Sequence, residues 1–413
     1  MLGQVDNLQP IWLDCDPGHD DAIAILLSLH LPGLALMGIS TVGSNADVHE
    51  TTKNAARLVH AFGGRRKELV QVLGEDYPLQ VITGAAKPLL RSVRHDPEIH
   101  GSDGLAGVEG LFDADHLDVQ EYVNKQTGTA SDDLITVPEQ IKFAVRKCKE
   151  KGLGDLIIVV CGGMTNIALF ASLYPSLLGV GNGVKEVVFM GGAIGIGNRG
   201  PTSEFNVLFD PEAVKIVFDS KCKVVMIPLN VTHQAIWHER LHQFLLNPAQ
   251  ASSASLDLKE KARLAPLTPL RQMLSTLFDY FKKTYLNTFG FEQGPPIHDA
   301  LCLFYLIEPS FIQGKRFKVE VECNSRWCDG TTVVDIWGDR DQEDLDPDDW
   351  SGSYIWVAQS IEVAQAWKHL FKVVHAADLH SPLNHDDRNS GPHLISKDKL
   401  NEWVEPNESI LLM

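Results

Sequence analysis

The stretch Asp14-Cys15-Asp16-Pro17-Gly18-His19-Asp20-Asp21 puts four carboxylates within eight residues, directly after the apolar run Ile11–Cys15. Like charges gathered this tightly repel, and a hard divalent cation or a polar ligand offsets the repulsion. A helix N-cap needs one acid, not four. A second pair, His298-Asp299, opens the apolar run Leu301–Ile307. Taken alone it reads as a helix cap beside a buried histidine; it gains chemical meaning if Asp299 is a distant partner of the first cluster. A third group runs Met190-Gly191-Gly192-Ala193, then Gly197-Asn198, then Glu204-Phe205-Asn206. Glycine lets backbone approach a ligand closely, and Asn and Glu side chains suit hydroxyl groups. Cys161-Gly162-Gly163-Met164-Thr165-Asn166 repeats the order strand, glycines, helix. Thr165 there either caps the helix or turns its carbonyl toward a cation. His100 stands in a glycine-rich turn, His100-Gly101-Ser102-Asp103-Gly104. Neither a Walker A loop nor a G-x-S-x-G elbow occurs.

These groups need a scaffold, and the hydrophobic pattern supplies an α/β one. Ile11–Cys15, Ala35–Val42 and Leu69–Leu73 read as strands, alternating with helices over Asp20–Leu29 and Thr51–Phe62. A βαβαβ order implies parallel strands with right-handed crossovers. Leu156–Val160, Val184–Met190 and Lys223–Ile227 are further buried strands, with helices over Thr165–Leu173 and Pro211–Phe218. Leu270–Tyr285 has an apolar stripe at helical spacing, Phe317–Cys323 reads as a strand, and Val363–Val374 as a closing helix. The expectation is one large α/β domain, residues 10–378, with a mostly parallel central sheet flanked by helices. Polar surface insertions are expected at 113–136 and 339–353, and a loosely ordered polar extension at 379–413.

The chain has 413 residues and a formal net charge of −18. That balance argues against a general nucleic-acid or anionic-membrane binder. No apolar run is long enough to span a bilayer, and the N-terminus lacks signal-peptide blocks. Seven scattered cysteines suggest reduced thiols and a cytoplasmic location. Cys323 and Cys328 lack a second pair at zinc-finger spacing.

Together the motifs resemble the inosine–uridine preferring nucleoside hydrolases. The opening Asp14–Ala22 is similar to that family's signature. Thr41-Val42-Gly43-Ser44-Asn45, Met164-Thr165-Asn166-Ile167-Ala168, Glu204-Phe205-Asn206 and His298-Asp299 follow in the family's order. The resemblance covers roughly residues 10–375, and within the family it leans toward uridine-preferring members of fungal or plant type. It implies the nucleoside hydrolase fold and hydrolysis of the N-glycosidic bond of ribonucleosides, uridine foremost, with inosine or cytidine also candidates. It implies a calcium ion held by Asp16, Asp21, Asp299 and the Thr165 carbonyl, and a calcium-bound water activated by Asp16. Asp20, Asn45, Asn206 and Asp299 would hold the 2′- and 3′-hydroxyls. Asn198, Glu204 with its neighbour Phe205, and Met190 would serve the 5′ side. Asp14 would stand one layer behind the ligands, His298 would serve the leaving group, and His100 would lie near the base. His298 stands where a Trp would mark the purine-specific branch. Tyr280 and Tyr285 are candidate base contacts from the long segment between Thr232 and Pro296, which in the family closes over the base. The family is usually a homodimer or homotetramer.

Two other readings remain from the residues. Asp14-x-Asp16 after a strand resembles magnesium-dependent aspartyl phosphatases, but Pro17-Gly18-His19 lacks their small hydroxyl residue. A nucleoside- or ribose-binding protein without turnover would keep the same pocket.

Overall fold

The computed structural model describes residues 8–123, 136–253, 263–338, 350, 353–385 and 402–412. Half of the expected 113–136 insertion (124–135) and all but residues 350 and 353 of the 339–353 insertion lie outside these residues. Among the described residues there are nine strands: β1 (Gln9–Cys15), β2 (Leu34–Thr41), β3 (Val81–Thr83), β4 (Leu156–Val160), β5 (Val184–Met190), β6 (Lys223–Ile227), β7 (Ile312–Val321), β8 (Thr332–Val334) and β9 (Tyr354–Ile361). They form one sheet in the order β3-β2-β1-β4-β5-β6-β9-β7-β8. The first seven strands of that order pair in parallel; β7 runs antiparallel to both β9 and β8.

The order reverses at β1. The chain builds outward through β2 and β3, then crosses back to β4 on the other side of β1. Where strand order reverses, the carboxyl ends of the two central strands leave a crevice. Here those ends carry Asp14–Asp16 and Cys161. Asp14 pairs with Ser40 of β2 on one side and Val160 of β4 on the other.

Alternation along β1 divides its side chains between two cores. Ile11, Leu13 and Cys15 join one core with the helices His19–His30, Pro269–Phe289, Ala300–Ile307 and Val363–His380. Trp12 joins the other with Val137–Lys151, Thr165–Leu173 and Pro211–Phe218. The helix His19–His30 is buried along its whole length. Its acidic first turn is therefore held out of bulk water, not displayed on a surface.

The structure corrects two elements. Leu69–Leu73 belongs to a helix, Lys67–Leu73, and the third strand is Val81–Thr83. Only Leu69 and Leu73 of that run are buried, four residues apart, which is the helical repeat. A short apolar run leaves the two periods indistinguishable. Of the C-terminal extension, Ile410 and Leu411 are buried in the first core, and the helix expected to end at Val374 continues to His380. The described ends of the extension are thus packed instead of loose.

Candidate functional site

β1 ends and the helix His19–His30 begins with three intervening residues, so Asp14 to Asp21 turn back on themselves. Asp21 closes that turn: Oδ1 accepts from the Asp16 amide at 3.1 Å and Oδ2 from the Gly18 amide at 2.9 Å. Gly18 has no substitute, because a Cβ there would lie 2.4 Å from Nδ1 of His100. Asp16 Oδ2 accepts from Ser44 Oγ at 2.5 Å and from the Asn45 amide at 2.9 Å. The Asn45 side chain donates to the Asp16 carbonyl at 3.1 Å. Asp14 is held by Ser40 and by Asn166 Nδ2, the latter at 2.8 Å, and Ser40 in turn accepts from the Trp12 indole.

Asp299 arrives from the far end of the sequence, immediately before the helix Ala300–Ile307. Oxygens of Asp20, Asp21 and Asp299 lie within 4.8 Å of one another, and all three residues are buried. Burial first, and the neighbouring carboxylates second, drive their protonation upward. Asp20 is pushed up to about 8, Asp21 by burial to about 6, and Asp16 and Asp299 well above the usual carboxylate range. Burial alone raises Asp14 to about 7 against its two hydrogen bonds. Several adjacent buried carboxylates ionise together only if something positive joins them. Asp16 Oδ1 is buried with no hydrogen-bond partner among the described residues. A Cβ on Gly162 would sit 2.5 Å from that same oxygen, so the glycine after β4 keeps the space beside it clear. An unpartnered carboxylate oxygen next to a convergent acidic trio fits a hard divalent cation.

One cavity opens above this cluster. Of the residues singled out in the sequence, Asp20, Asn45, His100, Met190, Asn198, Glu204, Phe205, Asn206, His298 and Asp299 line it. Asp16 and Asp21 stand just behind, bonded to Asn45. Glu204 caps the short helix Phe205–Phe209 and also accepts from the Gly192 amide at 3.0 Å. Burial lifts it to about 7 in spite of these bonds. The Asn206 amide nitrogen bridges the strand-end carbonyls of Cys161 and Met190, each at 3.0 Å. The Asn198 side-chain oxygen accepts from the Phe205 amide at 2.9 Å.

Thr165 is the buried first residue of the helix Thr165–Leu173 and does not line the cavity. Its hydroxyl donates to Asp210 at 2.6 Å. The residue of this segment on the cavity wall is Cys161, at the end of β4. Tyr280 also stays off the wall, stacking on His19 with ring centroids 5.0 Å apart.

The opposite wall carries groups that local sequence reading missed or left open. Tyr285 and Phe289, one helical turn apart near the end of Pro269–Phe289, both line the cavity, as do Asp96 and Ile99. Tyr285 Oη lies 2.6 Å from His298 Nε2, and His298 Nδ1 lies 2.7 Å from Thr232 Oγ1. Burial holds His298 well below the usual histidine range, so the ring is neutral near pH 7. Asp96 is paired with Arg199, whose guanidinium also lies over the Phe289 ring. Tyr285 is one of the two candidate base contacts named from the sequence, whereas Phe289 lies beyond the helix end expected at Tyr285.

Comparison with known proteins bears on what this cavity does. The family model for inosine-uridine preferring nucleoside hydrolases matches residues 11–368. The chain is 32% identical over 391 residues to a uridine nucleosidase from Saccharomyces cerevisiae, covering 91% of this chain and 98% of that one. It is 34% identical over 329 residues to an inosine-uridine preferring nucleoside hydrolase from Leishmania major, covering 79% and 87%. Among solved structures, a purine-preferring ribonucleoside hydrolase from Gardnerella vaginalis superposes with a TM-score of 0.67 at 22% identity, covering 91% of this chain and all of that one. A plant nucleoside hydrolase gives 0.65 at 23%, covering 89% and 98%. At these identities the two structures speak to the fold alone.

Proposed function

The chain belongs to the inosine-uridine preferring nucleoside hydrolase family, and from that premise we propose that it hydrolyses the N-glycosidic bond of ribonucleosides to free base and ribose, with uridine foremost. The observation that carries the reading is the cavity itself. A buried acidic cluster forms one end, amide and carboxylate groups line the side, and a hydroxyl–imidazole pair faces them. The preference for uridine rests on the yeast uridine nucleosidase and on a 31%-identical pyrimidine-specific ribonucleoside hydrolase of Escherichia coli.

Asp16, Asp21 and Asp299, with Asp20 alongside, are the residues that would hold a divalent cation, and calcium suits an all-oxygen set. Bound there, the cation would anchor the ribose diol and make a water more acidic. The chain's own groups supply the rest. Asp20, Asn45, Asn206 and Asp299 orient the 2′- and 3′-hydroxyls; Asn198, Glu204, Phe205 and Met190 receive the 5′ side. Fixing the ribose this way removes much of the entropy cost of bringing water and anomeric carbon together. Asp16 Oδ1 accepts the proton of the attacking water. Positive charge developing on the ribose is stabilised by the surrounding carboxylates.

The departing base needs a hydrogen bond or a proton. Sequence reading gave this task to His298, yet a neutral imidazole is a poor acid. Tyr285 lines the cavity with its Oη against His298 Nε2. With His298 protonated at Nε2, the ring donates to Tyr285 Oη and frees the tyrosyl proton to point at the base. His298 thus orients the phenol, and Tyr285, whose proton burial holds firmly, gives the departing base a hydrogen bond. His100, also held neutral by burial, lines the same wall.

Incubating the purified chain with a panel of ribonucleosides, with and without chelator, tests the proposal by chromatography of free base. Release of uracil that stops on chelation supports it. Saturable uridine binding without any release would instead favour a binding protein. A homodimer or homotetramer and a cytoplasmic location complete the reading. Light scattering of the purified chain tests the assembly. Among the described residues no helix is long and apolar enough to cross a membrane.

A further inference from the structure

A second group of ligand-type side chains lies away from the cavity, where the helix Val48–Ala61 meets the segment that begins the 113–136 insertion. His60 stands in the last turn of that helix. His116 and Asp118 flank the start of the short helix Leu117–Gln120. One ring nitrogen from each histidine and one Asp118 oxygen lie within 4.8 Å of one another. The two imidazoles stack with centroids 5.6 Å apart, and His116 Nδ1 is 4.0 Å from Asp118 Oδ2.

Two features separate this group from a chance surface cluster. His60 is 7% exposed. His116 Nδ1 is itself buried and unpartnered. Buried polar atoms are ordinarily satisfied, and here one of them faces a second imidazole and a carboxylate. Burial also lowers the proton affinity of His60, which leaves its nitrogen free to act as a ligand. Phe112 and Tyr122 pack around the His60 ring and keep it in place.

We propose that His60, His116 and Asp118 form a second cation site, selective for a borderline divalent ion such as zinc, that fastens the insertion to the helix Val48–Ala61. Two imidazoles and one carboxylate are a nitrogen-rich set that suits zinc better than calcium, with water as a fourth ligand. Zinc–nitrogen bonds of about 2.0–2.1 Å put tetrahedral ligand atoms about 3.3 Å apart, so rotamer adjustments of an ångström or so close the site. Closing a loop onto a helix through a metal stabilises the folded chain by ligand linkage. The site is chemically distinct from the all-carboxylate cluster and does not depend on the catalytic reading.

Zinc chloride is titrated by calorimetry into the full chain with calcium in excess, and cobalt(II) is then used as a spectroscopic substitute. The expected result is one zinc per chain, bound at least tenfold more weakly by His116→Ala and by Asp118→Asn, but equally well by Asp16→Asn. Cobalt should show the visible bands of a nitrogen-bound four-coordinate ion, and His116→Ala should lose them. His116 and Asp118 are partly or largely exposed, so both variants should melt like the parent in chelator, which separates lost binding from lost folding. No zinc bound in excess calcium, equal binding by His116→Ala and Asp118→Asn, or binding lost only in Asp16→Asn would each overturn the site.

Discussion

One oxygen of Asp16 is engaged by Ser44 and the Asn45 amide, while the other is buried and unpartnered. Replacing Asp16 with Asn keeps the shape and removes both the negative charge and the base. Turnover of uridine should fall about 10²–10⁴-fold, the usual contribution of a positioned proton acceptor; activity within tenfold of the parent would remove Asp16 from that role. Tyr285 makes a sharper case, because its effect should depend on the leaving group. Tyr285→Phe should lower the kcat for uridine by about 100-fold. It should barely change cleavage of 4-nitrophenyl riboside, whose leaving group departs without a proton. Equal losses on both substrates would mean that Tyr285 only shapes the cavity.

The helix Pro269–Phe289 brings Tyr285 and Phe289 to the wall, and its first turn fixes where it lies. Arg271 Nε donates to Asp378 Oδ2 at 2.7 Å, and Arg271 Nη1 to the Leu245 carbonyl at 2.6 Å. Thr268 Oγ1 donates to Asp378 Oδ1 at 2.7 Å. Arg271 and Asp378 are both almost wholly buried, so each is tolerable only in the presence of the other. Asp378→Ala should cost about 3–5 kcal/mol in denaturant unfolding, because it strands a buried guanidinium. Combining Arg271→Met with Asp378→Leu should recover most of that loss. A double variant as unstable as the single one would point to the hydrogen bonds of Thr268 and Leu245, not to the charges, as the fastening.

Over the whole molecule, pH and cation should act in separate windows. His30 is buried with Nε2 bonded to the Phe62 carbonyl at 2.7 Å, and burial lowers it from 6.5 to about 4. Its folded state favours the neutral ring, so this contribution is complete above about pH 6.5 and is lost as pH falls toward 4, by about 3 kcal/mol at most. His30→Gln should flatten the acid side of a plot of Tm against pH; an unchanged slope would assign the loss elsewhere. The acidic cluster has the opposite sign. Burial raises Asp20 to about 8, so in chelator its contribution is present at low pH and is lost as pH rises through that value. A bound cation removes the penalty for ionising. Added calcium should therefore raise Tm more at pH 8 than at pH 6, and no calcium effect at either pH would count against the folded-state site.

Much of this organisation is local and can be read along the chain. β4, β5 and β6 and the helices Thr165–Leu173 and Pro211–Phe218 have the boundaries their apolar patterns predict. Buried parallel strands and amphipathic helices write their periods directly into neighbouring residues. The Asp14–Asp21 turn is legible for the same reason, since its carboxylates are close in sequence before they are close in space. Other features depend on packing between distant segments. Leu69–Leu73 is a helix because of the face it buries, and β9 finds its place between β6 and β7 only when the sheet assembles. Thr165 and Cys161 are near neighbours, but strand and helix geometry send one into a helix and the other to the cavity wall. Tyr285, His298 and Thr232 meet from three separate segments, as do His60 and His116. Residue type and short-range spacing therefore establish the available chemistry, while long-range packing decides which groups share a low-dielectric space and hence which of them act on one another.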